Sequence, residues 1–176
     1  MIRFLIRRRI RAFGRRFSHD TRYMEEILDE DLPGFLIFHA ATLLSGHRFG
    51  LPVSPLFAAK FVATRAAGCG PCVELVIAMA AAAGVAPGDL AKAGRPEAEV
   101  EAGMRLAADF AFAVTGQTAD LPDRLAEVER VWGRRGRIGL AAAIATAQFY
   151  PTLKRSMGHA QSCDVLPEPF RLSSTP

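Results

Sequence analysis

The tetrapeptide Cys69-Gly70-Pro71-Cys72 constrains this chain more than any other feature, because a Gly-Pro pair is poorly tolerated inside a helix and well suited to its first turn. A helix is therefore predicted to start at the cysteines and to run through Val73, Val76, Ile77 and Ala80 to a stop at Gly84. The segment before it also has helical rhythm. Ser54-Pro55 opens it, Leu56, Phe57, Lys60, Phe61 and Thr64 set the spacing, and Gly68 closes it. No strand-like alternation leads into the pair or follows it. The apolar half of the composition is mostly Ala and Leu, with few β-branched or aromatic runs, so the expected fold is all-α. At 176 residues with no Gly/Ser linker, the chain should form one compact domain with a sizeable core.

The remaining helices follow from local signals. Residues 22–45 read as one or two helices interrupted at Leu32-Pro33-Gly34, and residues 46–55 as a loop. Asp89 is placed to cap a short helix after the Pro87-Gly88 turn. A long amphipathic helix spans about Glu97 to Thr115, a further one Pro122 to Trp132, and an alanine-rich one Ile138 to Gly158. The divisions expected are a basic amphipathic helix over 1–20, a helical domain over 21–162 and an extended tail over 163–176. The longest apolar stretches fall short of the roughly 20 residues that cross a bilayer.

Two thiols three residues apart share one helical face and can close a disulfide across a turn. The unpaired N–H groups and the positive end of the helix dipole favour thiolate over thiol. Cys69 and Cys72 are thus the candidate catalytic residues, a nucleophilic and a resolving sulfur, as peroxide reduction or thiol–disulfide exchange requires. Other readings are a zinc half-site, which lacks a second pair beyond Cys163 and His159, and two core cysteines without chemistry. Thioredoxin shares the tetrapeptide, but its fold needs a strand before it. His39 and His47 have no second ligand at metal-site spacing and read as core or surface residues, so neither metal nor cofactor is expected. Lys60 and Arg65 are candidates for positive charge near the sulfurs, whereas Glu74 lies about 200° around the helix from Cys72 and should face solvent.

Phe61-Val-Ala-Thr-Arg-Ala-Ala-Gly-Cys-Gly-Pro-Cys-Val-Glu-Leu-Val76, with the alanine helix and Gly84-Val-Ala-Pro-Gly-Asp-Leu90 after it, resembles the carboxymuconolactone decarboxylase family, in particular its alkylhydroperoxidase D-like branch. The likeness extends over residues 55–160, more weakly through Tyr150-Pro-Thr-Leu-Lys-Arg-Ser-Met-Gly158. It implies an all-helical alkylhydroperoxidase D-like fold that assembles as a homo-oligomer, with the Cys pair at the mouth of a pocket near a subunit boundary. It also implies a peroxide or disulfide substrate, attack by Cys72, resolution by Cys69, and recycling by a thiol–disulfide reductant protein. The family's relay histidine, four residues after the second cysteine, and its glutamate, twelve before the first, are here Val76 and Phe57. Activation of Cys72 would then rest on the helix terminus and on charge brought in by the fold. Nothing matches the decarboxylase's substrate-binding residues.

The formal charge of +4 does not imply nucleic acid, because Arg3, Arg7, Arg8, Arg9, Arg11, Arg15 and Arg16 crowd the first 17 residues and acids outnumber bases after Phe17. In that segment Ile2, Ile6, Ile10, Phe13 and Phe17 recur at helical spacing. The stripe suits either docking on the chain's own domain or a neighbouring subunit, or an anionic membrane surface or partner. With three cysteines, two of them only three residues apart, and no secretory signal, a reducing compartment is expected. That places the protein in the cytoplasm, peripheral to the membrane on the second reading of the N-terminal helix. The rival to an oxidoreductase is a noncatalytic helical oligomer that binds through residues 1–17.

Overall fold

In a computed structural model, which describes residues 1–159 and 170, the chain is a single helical domain without strands among those residues. The eight helices are α1 (Ile2–Phe17), α2 (Arg22–Glu30), α3 (Leu32–Gly46), α4 (Val53–Ala66), α5 (Gly70–Ala82), α6 (Pro87–Ala93), α7 (Ala102–Gly116) and α8 (Leu121–Ser156). The all-α expectation holds, and no described helix is long and apolar enough to cross a membrane. The expected tail over 163–176 and Cys163 lie outside the described residues, apart from Phe170, which packs edge-on to Phe61.

Helix α4 is the hub. Every residue from Pro55 to Thr64 is buried, and α5, α6, α7 and α8 all pack against it. Ala58, Ala59 and Ala63 keep its surface low, so neighbouring helices approach closely around Leu56, Phe61 and Val62. A second apolar cluster joins α1, α2 and α3 through Ile10, Tyr23, Leu28, Phe35 and Phe38, and it is closed by Tyr150 and Leu153 of α8 and by Met157 just after it.

Several boundaries differ from the sequence reading for local reasons. The break between α2 and α3 falls at Asp31, whose carboxylate caps α3 by accepting from the Gly34 N–H at 3.0 Å, and Leu32-Pro33-Gly34 is the first turn of α3. The following loop shortens to residues 47–52. Asp89 does not cap α6; it sits in the first turn, where its charge still suits the helix dipole. Helix α7 starts at Ala102, because Glu101 caps it by accepting from the Gly103 and Met104 N–H groups. The two expected C-terminal helices form one element, α8, broken at Gly133, where φ of +66° needs glycine.

The basic helix α1 docks on its own domain. Ile10 is buried, Ile6 packs beside it, Arg7 pairs with Asp29, and Arg11 pairs with Glu25 of α2 at 2.8 Å. Its first turn stays open, with Ile2, Phe4 and Leu5 each more than half exposed.

Gly139 sets the approach of α8 to the loop before α4. A Cβ there would lie 2.8 Å from Leu51 Cδ1, 2.9 Å from Phe49 Cβ and 3.0 Å from the Arg48 carbonyl oxygen. Gly139→Ala should therefore destabilise the fold by about 1–2 kcal/mol, overpacking outweighing the better helix propensity of alanine, as read from the urea midpoint. An unchanged or raised midpoint would show that the contact relaxes freely.

Candidate functional site

Cys69 is the N-cap of α5, in extended conformation, and Pro71 occupies the first turn, as the Gly-Pro pair requires. The Cys69 carbonyl accepts from the Cys72 and Val73 N–H groups at 3.1 and 3.0 Å, which folds the tetrapeptide into one turn and sets the two Cα atoms 5.3 Å apart. The sulfurs are joined as a disulfide. Cys69 is fully buried, and Cys72 is 5% exposed.

That small exposure matters because Cys72, and not Cys69, lines a pocket of about 610 Å³. The pocket arises where helix faces meet. Phe57, Lys60 and Thr64 lie on one stripe of α4; Cys72, Val76 and Met79 lie on one stripe of α5; and Ala147, Tyr150, Pro151 and Lys154 lie on one stripe of α8. Helices α1, α2 and α3 complete the wall with mostly apolar and aromatic side chains, together with Arg9, His39, Thr42 and Ser45. Its size is that of small-molecule sites, which run to roughly 300–1,000 Å³.

The structure sorts the candidates for charge near the sulfurs. Lys60 lines the pocket, buried, with its ammonium donating to the Ser45 carbonyl and, at 3.2 Å, to the Ser45 hydroxyl. Burial pushes it down to about 8. Arg65 does not serve the pocket: its guanidinium donates to the Gly94 carbonyl and lies over the Phe61 and Phe112 rings. Glu74 is exposed and away from the pocket, as its angle on α5 dictates. Val76 and Phe57 do face the pocket, so the wall around Cys72 is apolar at both positions. His39 lines the outer part, stacked on Phe35, and His47 packs edge-on to Phe49. His159 pairs with Glu26 at 2.7 Å. No cluster of metal-ligating side chains occurs among the described residues.

Four functional candidates carry no motif in the sequence. His19, in the turn after α1, is buried beside the backbone of Pro71 and lines the pocket. Lys154 is 2% exposed, with its ammonium 5.2 Å from the centre of the Tyr23 ring. Thr64 Oγ1 and the Tyr150 hydroxyl are buried and unpartnered, and both residues line the pocket. Only the helix spacing of Tyr150 and Lys154, one turn apart, could have hinted at a shared face.

What these observations define is an all-helical protein with a disulfide in the wall of an apolar pocket. No family model, curated protein or solved structure matches the chain.

His19 is held down to about 4, first by burial and then by repulsion from Lys154, against smaller raising effects of Asp20 and the Pro71 backbone. The unfolded chain takes up this proton near pH 6.5 and the folded chain only near pH 4, so His19 withdraws stability as pH falls through that window, by roughly 3 kcal/mol at the lower end. His19→Gln should flatten that part of the profile. Urea unfolding of both proteins between pH 7 and 4 measures it, and parallel profiles would show that His19 is not the titrating group.

Proposed function

We propose that this protein is a thiol-dependent oxidoreductase of the alkylhydroperoxidase D-like type, acting on a peroxide or disulfide substrate through Cys72 and Cys69. The observation that carries the reading is the asymmetry of the pair: Cys72 opens on a substrate-sized pocket, while Cys69 stands behind it at the helix N-cap. Starting from the dithiol, the Cys72 thiolate attacks the peroxide ROOH, and the O–O bond breaks. One oxygen stays on sulfur as the sulfenic acid, and RO⁻ leaves as the alcohol after taking up a proton. The Cys69 thiol then displaces water from the sulfenic acid, closing the disulfide. An external dithiol returns two electrons and two protons by thiol–disulfide exchange and is itself oxidised.

Activation of Cys72 on this reading comes from the N-terminus of α5 and from Lys60 and Lys154, cations in the wall of the same pocket. Incubation of the reduced protein with cumene hydroperoxide should yield cumyl alcohol and a protein two mass units lighter. Cys72→Ser should be inert, and Cys69→Ser should accumulate a sulfenic acid that dimedone captures. Equal thiol loss in wild type and Cys72→Ser would refute the assignment.

A second reading has its own observation. The open first turn of α1 presents Ile2, Phe4 and Leu5 beside the exposed Arg8 and Arg9, a composition suited to an anionic membrane surface. Because Ile10 is part of the apolar cluster, removal of the whole helix would damage the fold, so the discriminating variant is Phe4→Ser with Leu5→Ser. Co-sedimentation with phosphatidylserine vesicles should fall several-fold in the variant; equal sedimentation would exclude α1 as an anchor.

A further inference from the structure

The redox reading uses Lys60 and Lys154 only as charge near Cys72, and it leaves the unpartnered Thr64 and Tyr150 hydroxyls in the same wall unexplained. Lys154 is 2% exposed, and among the described residues its ammonium has no hydrogen-bond acceptor, only the face of Tyr23. The nearest acid in electrostatic terms is Asp20, whose carboxylate is already held by the Arg22 guanidinium at 2.7 and 2.9 Å. One turn before Lys154 on α8 stands the Tyr150 hydroxyl, and on the facing α4 stands Thr64, 1% exposed, both unpartnered. Lys60 adds a second buried ammonium to the same wall, and no aspartate or glutamate lines the pocket. The remaining wall is mostly apolar, with Ile10, Phe35, Phe38, Leu75 and Met79, and its other polar residues are Arg9, His19, His39, Thr42 and Ser45, none of them acidic.

Buried polar groups without partners are costly, and a buried ammonium without an anion more so. A neutral apolar occupant would leave Lys154, Tyr150 and Thr64 unpaired. A cation would meet Lys154 and Lys60 head-on, and a polyhydroxylated molecule would waste its hydroxyls on aliphatic and aromatic walls. An occupant with one anionic head and an apolar body satisfies both parts.

We propose that the pocket binds an amphipathic carboxylate, with its head accepting from Lys154 Nζ and the Tyr150 hydroxyl and its apolar body lying between α1, α3 and α5. The binding goes beyond the redox reading and does not depend on the state of the disulfide.

Calorimetry on the full-length oxidised chain, with no peroxide present, tests it with three probes of one chain length: decanoate, decanol and decyltrimethylammonium. Decanoate should bind one to one and about tenfold more tightly than decanol, the worth of a charge-assisted hydrogen bond, and the ammonium amphiphile should bind weakest. Lys154→Met should weaken decanoate about tenfold and leave decanol unchanged, which also certifies that the variant's pocket is intact. Tyr150→Phe removes only a hydroxyl, keeps the core, and should weaken decanoate about fivefold. Absence of saturable decanoate binding, decanol binding as tightly as decanoate, or decanoate affinity untouched in Tyr150→Phe would overturn the proposal.

Discussion

The structure depends on a helix that is buried on every side. From Pro55 to Thr64 every residue of α4 is buried, so its neighbours must all be in place for its backbone and side chains to leave bulk water. Small residues make this feasible: Ala58, Ala59 and Ala63 let α5, α7 and α8 close on it. Burial on this scale dominates the folding free energy and also makes polar residues within the stretch costly. The two that occur, Lys60 and Thr64, fall with Phe57 on the single face that opens on the pocket. The same helix is therefore the centre of the core and one wall of the site.

Helix α1 illustrates how charge is absorbed without a partner molecule. Seven arginines precede Ser18, yet Arg7 and Arg11 meet Asp29 and Glu25 on α2, while Ile10 enters the smaller apolar cluster. Exposed pairs of this kind contribute little individually, so docking rests chiefly on the apolar contacts. Its functional consequence lies at the far end, where the chain leaves α1 and brings His19 beside the backbone of Pro71. The N-terminal segment thereby supports the turn that carries the cysteines and covers part of the pocket. The docked helix and its open first turn are compatible, because the stripe is covered only from Ile6 onward, partly at Ile6 and fully at Ile10.

Where the reading of the chain and the structure agree, the signals are local. Glycines at Gly68 and Gly84 end helices because they take positive φ, and Pro71 admits only a first turn. Where they differ, a side chain acts on a neighbouring backbone. Asp31 moves the α2–α3 boundary by capping Gly34, and Glu101 moves the start of α7. Arg65 is diverted from the sulfurs to the Gly94 carbonyl, a contact set by how α6 packs on α4. His19, Thr64, Tyr150 and Lys154 were silent, since residues on α4, α8 and the turn after α1 become neighbours only when the bundle closes.

The sequence by itself determined that two sulfurs share the first turn of a helix and that Glu74 points away from Cys72, because both follow from the geometry of one helix, and that the domain is all-α, because the Ala- and Leu-rich chain has helical spacing and no strand-like alternation. Only the tertiary structure decided which sulfur opens on the pocket and what surrounds it. The choice of Cys72 over Cys69, and the gathering of Lys60, Lys154 and Tyr150 in an apolar wall, follow from the packing of α4, α5 and α8, which no local pattern encodes.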